Sequence, residues 1–476
     1  MKKRITLLKP TQLHIMCGSV IFGCLTALST PSLAANDAMQ DLLKILRDKG
    51  SITNEEYQLL RNAAEADSEK IEAVKQEAET AADEAKEAAK NLPEVNTKGK
   101  LEITSADGNY SWRIGGRLQY DATWTDRDGS DIGNSGQEFR RARLYASGVI
   151  DKVWNWKFQY DFTDLDDNAQ EGIEDAYVEY TGMPVAIAVG QKKAPFTLEE
   201  MTSSKYITFI ERAMVVDAMA SLVGNRRGGL HFHTLFNNQF TLGAAVTGNR
   251  VTADDFASEY AFTARGTWSP IHNDQQSVHV GVSGGWRNID EDLRVRARPP
   301  WHLANRPVDT GAIPVESVSS YGVEGAWVYG PWSLQGEYIR YDADEAPGVV
   351  VDQDGFGYYV YGSYYLTGET RRYNWGGGNF KATKVRSSFG KGGPGAWEVA
   401  ARYGSLDLDD AFGGEIDAFT AALNWYVNNN IMFRLNYSKV LDCSDTCDLG
   451  LGLTPSSTGN SGAKPSAVTF RTQVFF

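Results

Sequence analysis

"YSWRIGGRLQYDATW", residues 110–124, alternates without a break. Trp112, Ile114, Gly116, Leu118, Tyr120, Ala122 and Trp124 fall on one phase; Arg113, Gly115, Arg117, Gln119, Asp121 and Thr123 fall on the other. Successive side chains of an extended strand point to opposite faces, so this strand has one apolar face ending in aromatics and one polar face. A soluble sandwich would bury the apolar face and has no need of aromatic girdles, whereas a strand that crosses a membrane needs both. "WNWKFQYDF" at 154–162 repeats the arrangement, with Trp154, Trp156, Phe158, Tyr160 and Phe162 on one side.

Sixteen such segments run from 110–124 to 466–476, an even number, as a closed single-chain barrel requires. The connections give an independent test, because these barrels have long external loops and tight periplasmic turns. The odd-numbered connections are long (125–137, 164–172, 192–227, 248–257, 289–317, 343–355, 407–414, 442–465). The even-numbered ones are tight, as at Asp151-Lys152-Val153, Gly330-Pro331 and Asn428-Asn429. The exception is 369–395, where Arg371, Arg372, Lys381, Lys384, Arg386 and Lys391 face Glu369 alone; parity places it at the periplasmic mouth, as a basic vestibule, a contact for the stem or a flexible turn. The sequence thus predicts an all-β transmembrane barrel of 16 antiparallel strands over 100–476, ending in the assembly-type signal "SAVTFRTQVFF".

Residues upstream differ in kind. Residues 1–35 read as a signal peptide: a basic MKKR, an apolar run from Cys17 to Leu28, and a small-residue exit at Ser32–Ala35. Its removal takes away Lys2, Lys3, Arg4 and Lys9 and moves the formal charge from −14 to −18, which argues against nucleic acid as a partner. The exported chain keeps Cys443 and Cys447, placed to form a disulfide within one loop. Residues 36–99 read as a periplasmic helical, coiled-coil segment and linker. Gly50 ends a first helix, Ser51 or Thr53 caps a second, and Ile71, Val74, Ala78, Ala81, Ala85, Ala88 and Leu92 keep a heptad spacing up to Pro93. This α-helical coiled-coil stem therefore precedes the barrel.

The third long connection carries "GQKKAPFTLEEMTSSKYITFIERA", residues 190–213. Phe196, Ile207, Phe209, Ile210, Met214 and Val215 would be costly in open water, so this loop is expected to fold into the lumen and pack on the wall. Together with "GRLQYD" (116–121), "FRRARLYASG" (139–148), "YLTGETRRYN" (365–374), "GKGGPGAWEVAARYGSLDL" (390–408) and "FRTQVFF" (470–476), it resembles the bacterial phosphate-selective porins O and P, in order and over roughly 110–476. The resemblance implies a trimeric outer-membrane porin with a basic pore for passive diffusion of small anions such as phosphate. It carries Lys205, in "SSKYITFIER", and Arg212 over to the constriction, with Lys192 and Lys193 next.

Anion channels select with Lys and Arg at the narrow point, and the planar guanidinium fork matches phosphate oxygens. Across 191–227, Lys192, Lys193, Lys205, Arg212, Arg226 and Arg227 outnumber Glu199, Glu200, Glu211 and Asp217 in a chain of opposite net charge. The polar faces of the first two strands add Arg113, Arg117, Arg141 and Arg143, and Arg265, Arg287, Arg402, Arg434 and Arg471 lie on inward phases further round. The competing role for Glu211 and Arg212 is to pin the loop. The acidic outer stretches "TDRDGSD", "DADEAPG" and "DLDDAFGG" suit divalent cations that bridge lipopolysaccharide. Nothing points to an enzyme or a cofactor, and His231 and His233 read as lumen residues rather than metal ligands. Two alternatives stay open: a same-family porin for other solutes, and a barrel whose stem mainly tethers the outer membrane to the cell wall.

Overall fold

The computed structural model describes residues 32–97, 99–130, 132–163, 172–251, 259–290, 292–348, 353–411, 413–444 and 462–476, with side chains from residue 38 onward except Asp409. Residues 1–31 of the signal segment and Cys447 lie outside the described residues; Cys443 is disulfide-bonded. The chain divides into a helical unit ending at Leu92 and a barrel unit beginning at Pro93.

The helical unit holds α1 (Ser32–Asp48) and α2 (Asn54–Lys90). Gly50 adopts a positive φ of 71° to end the first, and Thr53 caps the second in a reciprocal box with Glu56. Leu43 and Tyr57 are buried, with the Arg47 guanidinium 4.6 Å from the Tyr57 ring centre. The heptad residues of α2 are exposed in the single chain, Ile71 by 51% and Val74 by 60%.

The barrel unit opens with two short strands, Glu94–Asn96, where the sequence suggested a linker, and Leu101–Thr104; they pair with each other, and the second pairs with Ser111–Ile114. Sixteen wall strands follow: β1 (Ser111–Asp126), β2 (Gly136–Ile150), β3 (Trp154–Asp161), β4 (Ile173–Tyr180), β5 (Val185–Lys193), β6 (Arg226–Phe236), β7 (Phe240–Thr247) and β8 (Ala261–His272). The circuit continues with β9 (Gln276–Asn288), β10 (Ile313–Tyr329), β11 (Trp332–Glu345), β12 (Gln353–Tyr365), β13 (Ala396–Asp407), β14 (Glu415–Tyr426), β15 (Ile431–Cys443) and β16 (Ser466–Phe475). Each pairs antiparallel with its neighbour, and β16 returns to β1 from Ser466↔Asp126 to Phe475↔Arg117, closing the sheet. Closure removes every wall edge, so backbone polar groups in the membrane are paired within the sheet.

The outward phase is the lipid face. Trp112, Ile114, Leu118 and Trp124 are all exposed, as alternation requires. Aromatics crowd the tight-turn end, where Trp154 packs on Tyr180 at 4.7 Å and Trp332 on Tyr364 at 4.3 Å between ring centres.

Two connections turn inward. The third long loop holds α3 (Leu198–Met201) and α4 (Met214–Val223), and Phe196, Phe209, Met219 and Val223 are fully buried. Its apolar face packs on strands β8–β13. Glycines make the room: a Cβ at Gly285 would sit 2.8 Å from Val223, and one at Gly357 2.8 Å from Val215. The 366–395 connection enters from the opposite end. Tyr373 and Phe380 are buried, and the Tyr373 hydroxyl meets Ser269 Oγ at 2.7 Å and His279 Nδ1 at 2.6 Å. This segment therefore does more than line a mouth or make a turn: part of it lies in the lumen, because Tyr373 and Phe380 find apolar cover there.

Candidate pore constriction

Between 205 and 211 the third loop runs without regular structure inside the barrel, so its carbonyls need donors from elsewhere. Strands β13–β16 supply them. Arg402 donates to Glu211 O at 3.1 Å, Asn424 to Thr208 O at 2.9 Å, Arg434 to Phe209 O at 3.1 Å, and Gln473 to Lys205 O at 3.1 Å. Arg471 holds Asp121 through two 2.6 Å bonds and reaches Ile210 O at 2.6 Å and Glu211 Oε1 at 2.7 Å. On the far side, the Glu337 carboxylate of β11 accepts the N–H groups of Leu198 and Glu199 at 2.8 and 2.7 Å. The inward-phase arginines 402, 434 and 471, expected as pore cations, thus anchor the loop. Arg265 pairs with Glu324 and donates to Gly378 O at 2.7 Å, tying down the second inward segment. Arg287 lies 3.8 Å from Glu259.

The open space lies between this loop and strands β1–β6. A cavity of about 750 Å³ is lined there by ten cations, Arg117, Arg140, Arg141, Arg143, Lys157, Lys192, Lys193, Arg212, Arg226 and Arg250, against four carboxylates, Glu174, Asp175, Glu200 and Asp217. Several cations are already engaged. Arg143 pairs with Asp161 at 2.5 Å and also with Glu174; Arg226 pairs with Glu174 at 2.6 Å and Asp175 at 2.8 Å; Lys192 pairs with Glu179. Glu200 takes Lys193 at 2.5 Å and Arg212 at 3.1 Å. Burial alone would raise the Glu200 pKa, but these two cations hold it at about 2. Arg212 also donates to the carbonyls of Glu199, Glu200 and Thr202, so it both pins the loop and lines the cavity.

Arg117 and Lys205 have different surroundings. Among the described residues, Arg117 meets the hydroxyls of Ser203 (3.4 Å) and Ser204 (2.5 Å) rather than a carboxylate. Lys205 Nζ stands 5.3 Å from the Tyr206 ring centre and 5.5 Å from those of Tyr145 and Phe475. Burial, helped by Arg117, Lys157 and Arg113, lowers its pKa to about 7. Arg141 donates to Gln119 at 3.1 Å, with Glu211 at 4.0 Å. Arg113 faces the Tyr145 ring at 5.8 Å.

Seven of the ten expected cations line the cavity. Arg113 and Lys205 stand beside Tyr145 rather than in that lining, Lys205 directly following the lining residues Ser203 and Ser204. Arg227 turns elsewhere, to Gly248 O, Asn249 and Glu259, because those groups satisfy its guanidinium. Three lining cations escaped the sequence reading. Lys157 was legible, since it lies opposite Trp156 and Phe158 in phase. Arg140 was not: Gln119 pairs with Arg141 and Tyr120 with Phe139, so Arg140 is the extra residue of a β-bulge and points inward beside Arg141. Arg250 belongs to a loop, where alternation says nothing. Asn374 and Asn379 of the second inward segment also line the cavity; Asn374 donates to Asn379 Oδ1 at 3.1 Å and Asn379 to Met201 O at 3.0 Å, joining the two inward segments.

A closed sixteen-stranded barrel whose lumen is narrowed by its third loop is an outer-membrane porin. The sequence model of the family "Phosphate-selective porin O and P" matches residues 113–449, and the chain belongs to that family. Porin O of Pseudomonas aeruginosa is 29% identical over 386 residues, covering 72% of this chain and 86% of that protein. An uncharacterized protein of Caulobacter vibrioides is 31% identical over 369 residues, covering 72% of this chain and 71% of that protein. Among solved structures, the anion-selective porin from Comamonas acidovorans aligns with a TM-score of 0.49 at 12% identity, over 77% of this chain and 100% of that one.

Proposed function

We propose that this porin passes small anions in preference to cations, with oxyanions of the phosphate type held where the third loop faces β1–β6. The observation that carries this reading is the excess of ten cations over four carboxylates around one cavity, in a chain of net charge −14. A concave site lined by one sign of charge concentrates the opposite ion. Arg117 is the lining residue assigned to the anion itself, because among the described residues it meets the Ser203 and Ser204 hydroxyls rather than a carboxylate at hydrogen-bond distance. Lys205, next after Ser204 and set among aromatic rings, is assigned to the approach beside that cavity. The cations paired to Glu174, Asp175 and Glu200 set the field and hold the loop. Planar-bilayer conductance with potassium phosphate and potassium chloride tests this: anion-directed reversal potentials support it, and cation preference overturns it.

The stem is proposed to be periplasmic and to join three copies of the chain in a coiled coil. In support, the Ile71 and Val74 side of α2 is apolar, regularly spaced and exposed, and 37 residues give a rod of roughly 55 Å. Deleting 38–92 tests it. Loss of trimers on sizing in detergent is expected, whereas unchanged trimers with a weakened envelope would favour the tether.

A further inference from the structure

The 366–395 connection, having turned into the lumen, leaves it again and runs along the outside rim of the tight-turn end. Phe389 N donates to Val427 O at 2.9 Å, fixing this part of the chain to the β14–β15 turn. Phe389 is 55% exposed, and its ring packs edge-on against Trp425 at 5.3 Å. Trp425 stacks in turn on Trp397 at 5.3 Å and on Phe433 at 5.6 Å, and Phe433 on Phe470 at 5.9 Å. Phe389 therefore extends an aromatic ladder on the lipid face.

The depth of this segment in the membrane follows from two bonds. Trp397 Nε1 and Trp425 Nε1 both donate to Pro394 O, at 3.2 and 3.0 Å. Girdle tryptophans sit at the boundary between acyl chains and headgroups, with the ring N–H turned to the polar side. Pro394 O thus occupies the place where a lipid oxygen would accept those bonds, and Arg386 and Lys391, both exposed, flank Phe389 in the chain. The connection's single carboxylate, Glu369, is buried and takes the Thr367 hydroxyl and the Arg386 N–H. The rim is left apolar at Phe389 and cationic on either side of it.

We infer that Ser387–Gly395, with Arg386, is a binding site for the phosphate headgroup of anionic phospholipid in the periplasmic leaflet. Phe389 enters the interface while Arg386 and Lys391 contact the phosphate. The occupant is a lipid rather than a free anion because the surface continues the established membrane face, and it lies in the periplasmic leaflet because tight turns point that way.

The test is native mass spectrometry of the full chain released from bilayers of phosphatidylethanolamine with a minor share of phosphatidylglycerol. Retained phosphatidylglycerol should be enriched over its bilayer share. Enrichment should fall about fivefold for each charge removed in R386Q and K391Q, with single-channel conductance unchanged. K391Q alters an exposed side chain only, so it remains informative if the double variant assembles poorly. Absence of enrichment in the wild type, or enrichment that survives K391Q and the double variant, overturns the site. Altered conductance with unaltered lipid enrichment would also overturn it, by assigning these cations to the pore mouth.

Discussion

Strands β8–β16 and strands β1–β6 both face the third loop, yet they offer it different surfaces. The first set presents glycines at 285 and 357, against which Val223 and Val215 pack directly, and the anchoring arginines 402, 434 and 471. The second presents Arg117, Arg141, Arg143 and Lys157 across an open cavity. One loop with an apolar and a cationic side thus sorts the lumen into a packed, dry half that fixes position and an open, wet half proposed to meet solute. An inward-facing arginine is therefore not a pore residue by virtue of its phase alone. Arg471, with four hydrogen bonds to Asp121, Ile210 and Glu211, is an anchor; Arg117, with two serine hydroxyls, is available.

The largest effect is expected at Arg471. R471A leaves the buried Asp121 without its paired cation and removes one of the cations on Glu211, Arg140 remaining, at a cost of about 3–5 kcal/mol. Lower thermal stability and a larger, noisier single-channel conductance are expected. On the wet side, R117A should leave the fold intact and weaken phosphate block of chloride current. Losing charge-assisted bonds worth about 1.5–3 kcal/mol lowers affinity about ten- to hundredfold. If R117A destabilised the barrel as much as R471A, the division into two halves would be wrong. On the dry side, G285L forces a side chain against Val223 and should cost about 1–3 kcal/mol. Its signature is wider conductance with weaker anion preference, read from the same recordings. N379A removes the bond from the second inward segment to Met201 O, worth about 0.5–1.5 kcal/mol, and should raise open-channel noise with selectivity nearly unchanged.

The smallest expected effect is a pH dependence. With its pKa lowered to about 7, Lys205 is charged below that pH and neutral above it. Chloride preference should therefore decline as pH rises through about 7, a direction that phosphate's own titration cannot confuse. K205R keeps its charge throughout and should abolish the decline.

Much of this was legible in the sequence for physical reasons. Lipid demands strict alternation, so the sixteen strands and their parity stood out, and the apolar residues 196–215 had nowhere to go but inward. Other features were hidden because they depend on partners distant in the chain. That Arg434 serves Phe209 O, 225 residues away, cannot be read from its phase. Arg140 was hidden by a bulge, which breaks the periodicity that made its neighbours readable. The 366–395 segment carries a clue in its Tyr373, Trp375 and Phe380, but its excess of positive charge fits a solvated mouth equally well.

Anion preference is proposed to come from the wet half, at Arg117 with Lys205 beside it. The zero-current potential across a potassium chloride gradient tests it most directly, comparing wild type with the double variant R117A/K205A. An anion-directed potential in the wild type that shrinks markedly in the double variant, at unchanged barrel stability, is the predicted result; a cation-directed wild type, or a double variant with the same potential, would contradict it.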